Sequence, residues 1–163
     1  DMAAEVRFAG RVLGGSDLVG AAESGDLAKV EALVSAGLSP QARGAESDSA
    51  LHRAARGGHA PVVRFLLRAG ADAGAVGLHG RTALHWAAFS DCEEAVEALL
   101  EATTDAAAGL EARSDAGLTP LLFAASEGAR GAAAVLLGAG ADVSARVASG
   151  ATALHLLALR ARA

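Results

Sequence analysis

Tyrosine, asparagine and isoleucine are missing from this chain altogether, and lysine, cysteine and tryptophan occur once each, as Lys29, Cys92 and Trp86. Each shortage excludes something. A single cysteine rules out an internal disulfide and fits a reducing compartment. The basic residues are nearly all arginine, form no stripe, and sit in a chain of formal net charge −5. Binding to the phosphates of nucleic acid therefore has little electrostatic support. No apolar run approaches the roughly 18 residues of a membrane span. The opening DMAAEVRFAGRVLGG lacks the apolar block of a secretory signal. The location expected from these absences is cytoplasmic, with no insertion into a membrane.

Aromatic residues supply only 3% of the chain, yet hydrophobic residues supply 52%, so the core must be built from alanine, leucine and valine. Small side chains let helix axes approach closely, which favours packed short helices and argues against disorder. The 163 residues suffice for one compact domain or a short array of repeats.

Self-similarity decides between these. Leu18, Leu51, Leu84, Leu121 and Leu154 open the phrases LVGAA, LHRAA, LHWAA, LLFAA and LHLLA, at separations of 33, 33, 37 and 33 residues. Downstream of the first four come VEALVSAG, VRFLLRAGAD, VEALLEATTD and AVLLGAGAD. One period thus holds a short apolar segment, a break, a second apolar segment and a turn. Leu51, Ala54 and Ala55 share one helical face, and Val62, Val63, Leu66 and Leu67 form the next. Gly57 and Gly58 separate the two, Pro61 suits the first turn of the second helix, and Gly70 ends it.

Catalytic constellations do not emerge. Cys92 lies among Asp91, Glu93 and Glu94, carboxylates that disfavour a thiolate. No phosphate-cradling glycine loop occurs, and no carboxylate pair brackets a cleft. His52, His85 and His155 recur at one place in different repeats, so they cannot converge on one metal ion. No enzyme, cofactor or metal is expected.

The phrases GRTALHWAA, GLTPLLFAA and GATALHLLA resemble the ankyrin pattern G-x-T-P-L-H-x-A-A, and LLRAGAD and LLGAGAD resemble its L-L-x-x-G-A-D. The resemblance covers about residues 16 to 160. It implies an all-α repeat solenoid, an ankyrin-type stack of helix-turn-helix units with β-hairpin fingers. The approximate repeats are 16–44, 45–77, 78–114, 115–147 and a partial 148–163, preceded by residues 1–15 as an arm, a short helix or a cap. The resemblance also implies that a threonine caps the first helix and a histidine three residues on bonds back to it. Thr82 with His85 and Thr152 with His155 match, Ser49 with His52 is a conservative version, and Thr119 is followed by Leu122 instead. The first copy, with Asp17 and Gly20, has neither partner.

Such stacks hold other proteins, so the function implied is an interaction module or scaffold, monomeric in isolation. The alternative is a regulatory or targeting segment of a larger enzyme or channel chain. Partners of such stacks use the finger tips and the concave side of the first helices. Among the fingers these positions include Glu46, Asp48, Leu78, His79, Arg81 and Leu118; on the helices they include Arg53, Arg56, Trp86, Phe89 and Phe123. The expected contact set is Phe89, Trp86, Arg81, Phe123, Arg56, His79, Leu78 and Leu118, since aromatic anchors beside arginine mark interaction hot spots. Trp86 and Phe123 equally suit packing between repeats. Phe89, one residue beyond the paired alanines, is expected to face outward.

Two departures carry expectations of their own. The four extra residues between Leu84 and Leu121 form either a lengthened second helix or surface loop, or a longer finger that reaches a partner. The fifth copy stops after one helix, whose Leu154, Leu157 and Ala158 are expected to cover the fourth copy. Because terminal repeats need a polar outer face, the chain is expected to belong to a longer polypeptide.

Overall fold

A computed structural model describes residues 6–8 and 10–162. Strands β1 (Val6–Phe8) and β2 (Arg11–Leu13) pair antiparallel, turned by Gly10 at φ 82°. Of the arm or short helix expected over residues 1–15, positions 1–5 and 9 lie outside the described residues. Positions 6–8 and 11–13 form this hairpin and not a helix. Two short apolar-and-arginine runs around a glycine free to take positive φ account for it.

The repeats follow as α1 (Gly15–Glu23) and α2 (Leu27–Ser35), α3 (Ala50–Arg56) and α4 (Ala60–Arg68), then α5 (Ala83–Phe89) and α6 (Glu93–Ala102). A short α7 (Ala106–Leu110) intervenes before α8 (Pro120–Glu127) and α9 (Arg130–Gly138), and α10 (Ala153–Arg160) closes the series. The first helices pack in one row, α1 on α3 on α5 on α8 on α10, and α4, α6 and α9 follow α2 in the other. The architecture is the all-α repeat stack that the period implies. None of its described helices is long and apolar enough to cross a membrane.

Alanines make the stack close. Ala54, Ala55, Ala87, Ala88, Ala124 and Ala125 are all fully buried, where one helix row meets the next. Leucines fill the remaining volume, with Leu18, Leu51, Leu84 and Leu121 between 0% and 4% exposed. Fingers join the repeats. Backbone hydrogen bonds from Gly44, Gly77, Ser114 and Val147 to the carbonyls of Asp48, Arg81, Leu118 and Ala151 close them. Single antiparallel bridges pair Arg43 with Ser49, Val76 with Thr82 and Arg146 with Thr152.

The capping histidines lie where the resemblance puts them. His85 Nδ1 is 2.9 Å from Thr82 Oγ1 and accepts the Thr82 backbone N–H at 3.1 Å, while Nε2 reaches the Leu118 carbonyl of the next finger at 2.8 Å. His52 repeats this with Ser49 and Ala75, and His155 with Thr152. In the fourth copy Thr119 Oγ1 accepts from the Leu122 N–H alone. The first copy corrects the expectation: α1 begins two residues early relative to the repeat's leucine, so Asp17 is its third residue and accepts the Gly14 N–H at 2.9 Å. A carboxylate thus does there what histidine does elsewhere.

Both departures resolve physically. The finger between Ser114 and Leu118 closes over the same four-residue span as the others, so the surplus does not lengthen it. The extra residues instead form α7, capped by the Asp105 side chain at the Ala108 N–H, with only Leu110 buried. In the fifth copy Ala153 is buried and Leu156 and Leu157 pack partly against the core, but Leu154 is 67% exposed and Ala158 is also exposed. In the other repeats a second helix packs on the first, α2 on α1, α4 on α3, α6 on α5 and α9 on α8, and the described part of the fifth copy contains no such helix.

Candidate functional site

On the face shared by the first helices and the fingers, two positions per repeat line up along the stack. One row reads Gly20, Arg53, Trp86, Phe123 and Leu156; the other, three residues on, reads Glu23, Arg56, Phe89, Ser126 and Leu159. Stacking at one repeat per step brings Trp86, Phe89 and Phe123 together. Trp86 meets Phe89 edge-on at 5.8 Å between ring centroids and Phe123 edge-on at 6.1 Å, while Phe89 stacks on Phe123 at 5.8 Å. These are the offset and edge geometries that ring quadrupoles favour.

Arginines flank the rings. The Arg81 guanidinium lies 4.7 Å from the centroids of both Trp86 and Phe123, and that of Arg56 lies 5.0 Å from Trp86. Each contact lies within cation–π range. Trp86 is 4% and Phe123 6% exposed, so both serve packing between repeats, whereas Phe89 keeps 38% of its surface in solvent. The structure therefore brings five of the expected contact residues into one cluster. It leaves Leu78 and His79 in a 3₁₀ turn (Leu78–Gly80) at a finger, and half-buried Leu118 at the next finger. His79 is exposed, takes φ 58°, and accepts the Asp115 N–H through its carbonyl, tying adjacent fingers together.

Two positions expected to be open to a partner are not. Asp48 is 1% exposed and accepts the Leu78 N–H of the next finger at 2.9 Å. Arg53 is bound by three carboxylates: Glu23 at 3.1 Å, Asp48 at 3.3 Å and Glu46 in a close contact. The network spans the first two repeats; its Arg53–Asp48 pair is largely buried, so removing either leaves the other charge unpaired, while Glu23 and Glu46 join it from solvent.

Arg56 and Arg81 contrast with Arg53. Neither makes an ion pair or a side-chain hydrogen bond with any described residue. Trp86 Nε1 is likewise buried without a hydrogen-bond partner among the described residues. Asp48 Oδ2 and Arg53 Nε also lack hydrogen bonds but face each other in the ion pair above. A buried donor left unpaired costs about 1–3 kcal/mol, so the indole N–H is an unmet demand at this face.

Elsewhere, other groups are accounted for by packing. His59 caps α4 and reaches the Glu23 carbonyl at 2.9 Å. Cys92 caps α6 and donates weakly to the Gly58 carbonyl at 3.4 Å; burial pushes its thiol up, away from the thiolate a nucleophile needs. Asp91 takes the left-handed φ 54° that Gly25, Gly58 and Gly128 take at the same place, and its carboxylate accepts the Ala132 N–H at 2.8 Å. A cleft of about 400 Å³ lies between α7 and the turn at Ala71–Gly74, with Asp72 and Asp105 at its rim. Among the described residues, no group of three or more histidine, cysteine, aspartate or glutamate side chains is placed to hold a metal ion.

Comparison with known proteins agrees with the repeat architecture. A family model for ankyrin repeats in three copies matches residues 18–109, and a second, for ankyrin repeats in many copies, matches residues 84–137. No curated protein matches the chain.

Proposed function

Because the chain belongs to the ankyrin repeat family, whose members are generally protein–protein interaction modules, we propose that it holds another protein against its concave face and finger tips. The observation that carries this reading is the cluster of Trp86, Phe89 and Phe123 with Arg81 and Arg56 beside it. Phe89 packs on Trp86 and Phe123 yet keeps 38% of its surface in solvent at the centre of the face, and aromatic rings next to arginine are what interaction anchors are made of. Trp86 and Phe123 then act as a rigid floor, and Phe89 as the group a partner covers. Leu78, His79 and Leu118 extend the contact along the fingers. The repeat domain over 16–163 works as a scaffold in this reading, monomeric by itself and with no catalytic step.

Affinity capture from a lysate, with the native chain and its Phe89→Asp variant side by side, tests the proposal. A protein retained by the first and lost by the second, with both chains folded, supports it. Identical retention by the two would move the contact away from the aromatic cluster.

A further inference from the structure

We propose that the segment held by this face is acidic: a peptide that presents a side-chain carboxylate to Arg56 and Arg81 and an apolar side chain to Phe89. The inference rests on the reading of the cluster as the partner-binding face, and goes on to the chemistry of the partner.

Four observations lead to it. The chain carries net negative charge, and six of its thirteen arginines hold ion pairs or side-chain hydrogen bonds among the described residues, Arg11 with Asp17 among them. Arg53 has three carboxylates, Arg160 has Glu127 at 3.7 Å, and Arg43, Arg113 and Arg146 donate to finger carbonyls. Arg56 and Arg81 share one indole and have no acidic partner among the described residues. A guanidinium held at an aromatic face keeps its N–H groups for a planar acceptor, and its charge is only partly met by the ring quadrupole. A carboxylate is the protein group that matches that fork in charge and geometry.

The third observation is Trp86 Nε1, a buried donor with no acceptor. An incoming oxygen that shifts one of the flanking arginine side chains gives this N–H the partner the folded chain does not provide. The fourth is Phe89, the part-exposed ring of the cluster, stacked on Phe123 within the same patch. It asks for an apolar side chain next to the carboxylate. Two arginines on a negatively charged molecule give no track for a nucleic-acid backbone, which needs a run of phosphate contacts.

Selection of a random heptapeptide display library, with amidated C-termini and no phosphate, tests this. The native chain, Phe89→Asp and the double variant Arg56→Gln with Arg81→Gln are used in parallel. The native chain should enrich peptides in which aspartate or glutamate stands beside leucine, phenylalanine or a similar residue, and both variants should lose that pool. A synthetic member should alter the emission of Trp86, the only tryptophan in a chain without tyrosine. Its binding should weaken about tenfold on removal of one arginine and weaken further with added salt. Should the double variant melt early, Arg56→Gln alone serves, because Arg56 is exposed. An acidic pool that the double variant retains, binding that requires a phosphate or a free C-terminal carboxylate, or no enrichment at all would overturn the proposal. A Phe89-dependent pool of neutral or basic peptides would overturn the acidic chemistry while leaving the face as the binding site.

Discussion

Acidifying the solution from about pH 7.5 to about pH 5 attacks this stack at His85. The ring is fully buried, and its Nδ1 accepts the Thr82 backbone N–H, so the ring proton resides on Nε2, where it can be donated to the Leu118 carbonyl. A second proton would have to go on Nδ1, against a backbone donor and without solvation. Burial accordingly lowers the His85 pKa from its ordinary 6.5 to about 4. The unfolded chain binds this proton near pH 6.5 and the folded chain does not, so the stabilisation is complete above pH 6.5 and is lost as pH falls from there towards 4. The difference amounts to about 3 kcal/mol when fully developed and about 2 kcal/mol by pH 5. Burial lowers His52 as well, so it pulls in the same direction. For a domain of this size, about 2 kcal/mol lowers Tm by roughly 4–8 °C. Thermal melts followed by circular dichroism at several pH values measure this, beside His85→Gln, whose amide can still accept the Thr82 N–H but does not titrate. The variant should start less stable and fall less with acid. If both chains lose the same Tm between pH 7.5 and pH 5, or if His85 titrates near 6.5 in the folded chain by NMR, the reasoning fails.

Three further outcomes are expected. Leu84→Ala should cost about 2–5 kcal/mol because it empties a buried site, whereas Leu154→Ala, at the same place in the fifth copy but 67% exposed, should stay within about 0.5 kcal/mol; denaturant titrations of the two compare them directly. Cys92 should react with iodoacetamide at pH 8 more slowly than a cysteine in an unstructured peptide, because burial raises its pKa and keeps it as the thiol; equal rates would mean the thiol is not held against the Gly58 carbonyl. Phe89→Asp should cost about 1 kcal/mol through its lost ring contacts and leave a cooperative melt, while binding disappears; a collapse of the melt would place Phe89 in the core.

Much of the architecture was legible because each repeat restates it. The apolar phrase, the break and the Gly-Ala-Asp turn recur in phase, so an ambiguity in one copy is settled by the next, and the histidine caps could be assigned by matching residues. What escaped were features used once. Asp17 stands in for a histidine only because α1 begins two residues early, and nothing in the first copy alone marks that start. The run Asp105 to Gly109 carries a helix cap and three alanines, a readable signal of a separate α7 where a lengthened second helix, a loop or a longer finger was expected. The Arg53 network depends on three acids from two repeats meeting in space, which the linear order of the chain does not display. The aromatic cluster was placed by counting along the repeat, which also turned Phe89 outward and left Trp86 and Phe123 between packing and binding; their near-complete burial and the unpaired indole N–H were not legible. Those depend on what the neighbouring repeats put beside each ring.

Hydrogen–deuterium exchange on the chain, free and bound to a captured partner, addresses the central claim most directly. The account predicts slowed exchange along α5 and α8 and in the fingers at 77–81 and 114–118, with α4, α6 and α9 unchanged. Protection confined to those second helices, or to α7 and the cleft beside it, would contradict the assignment of the aromatic face as the binding surface.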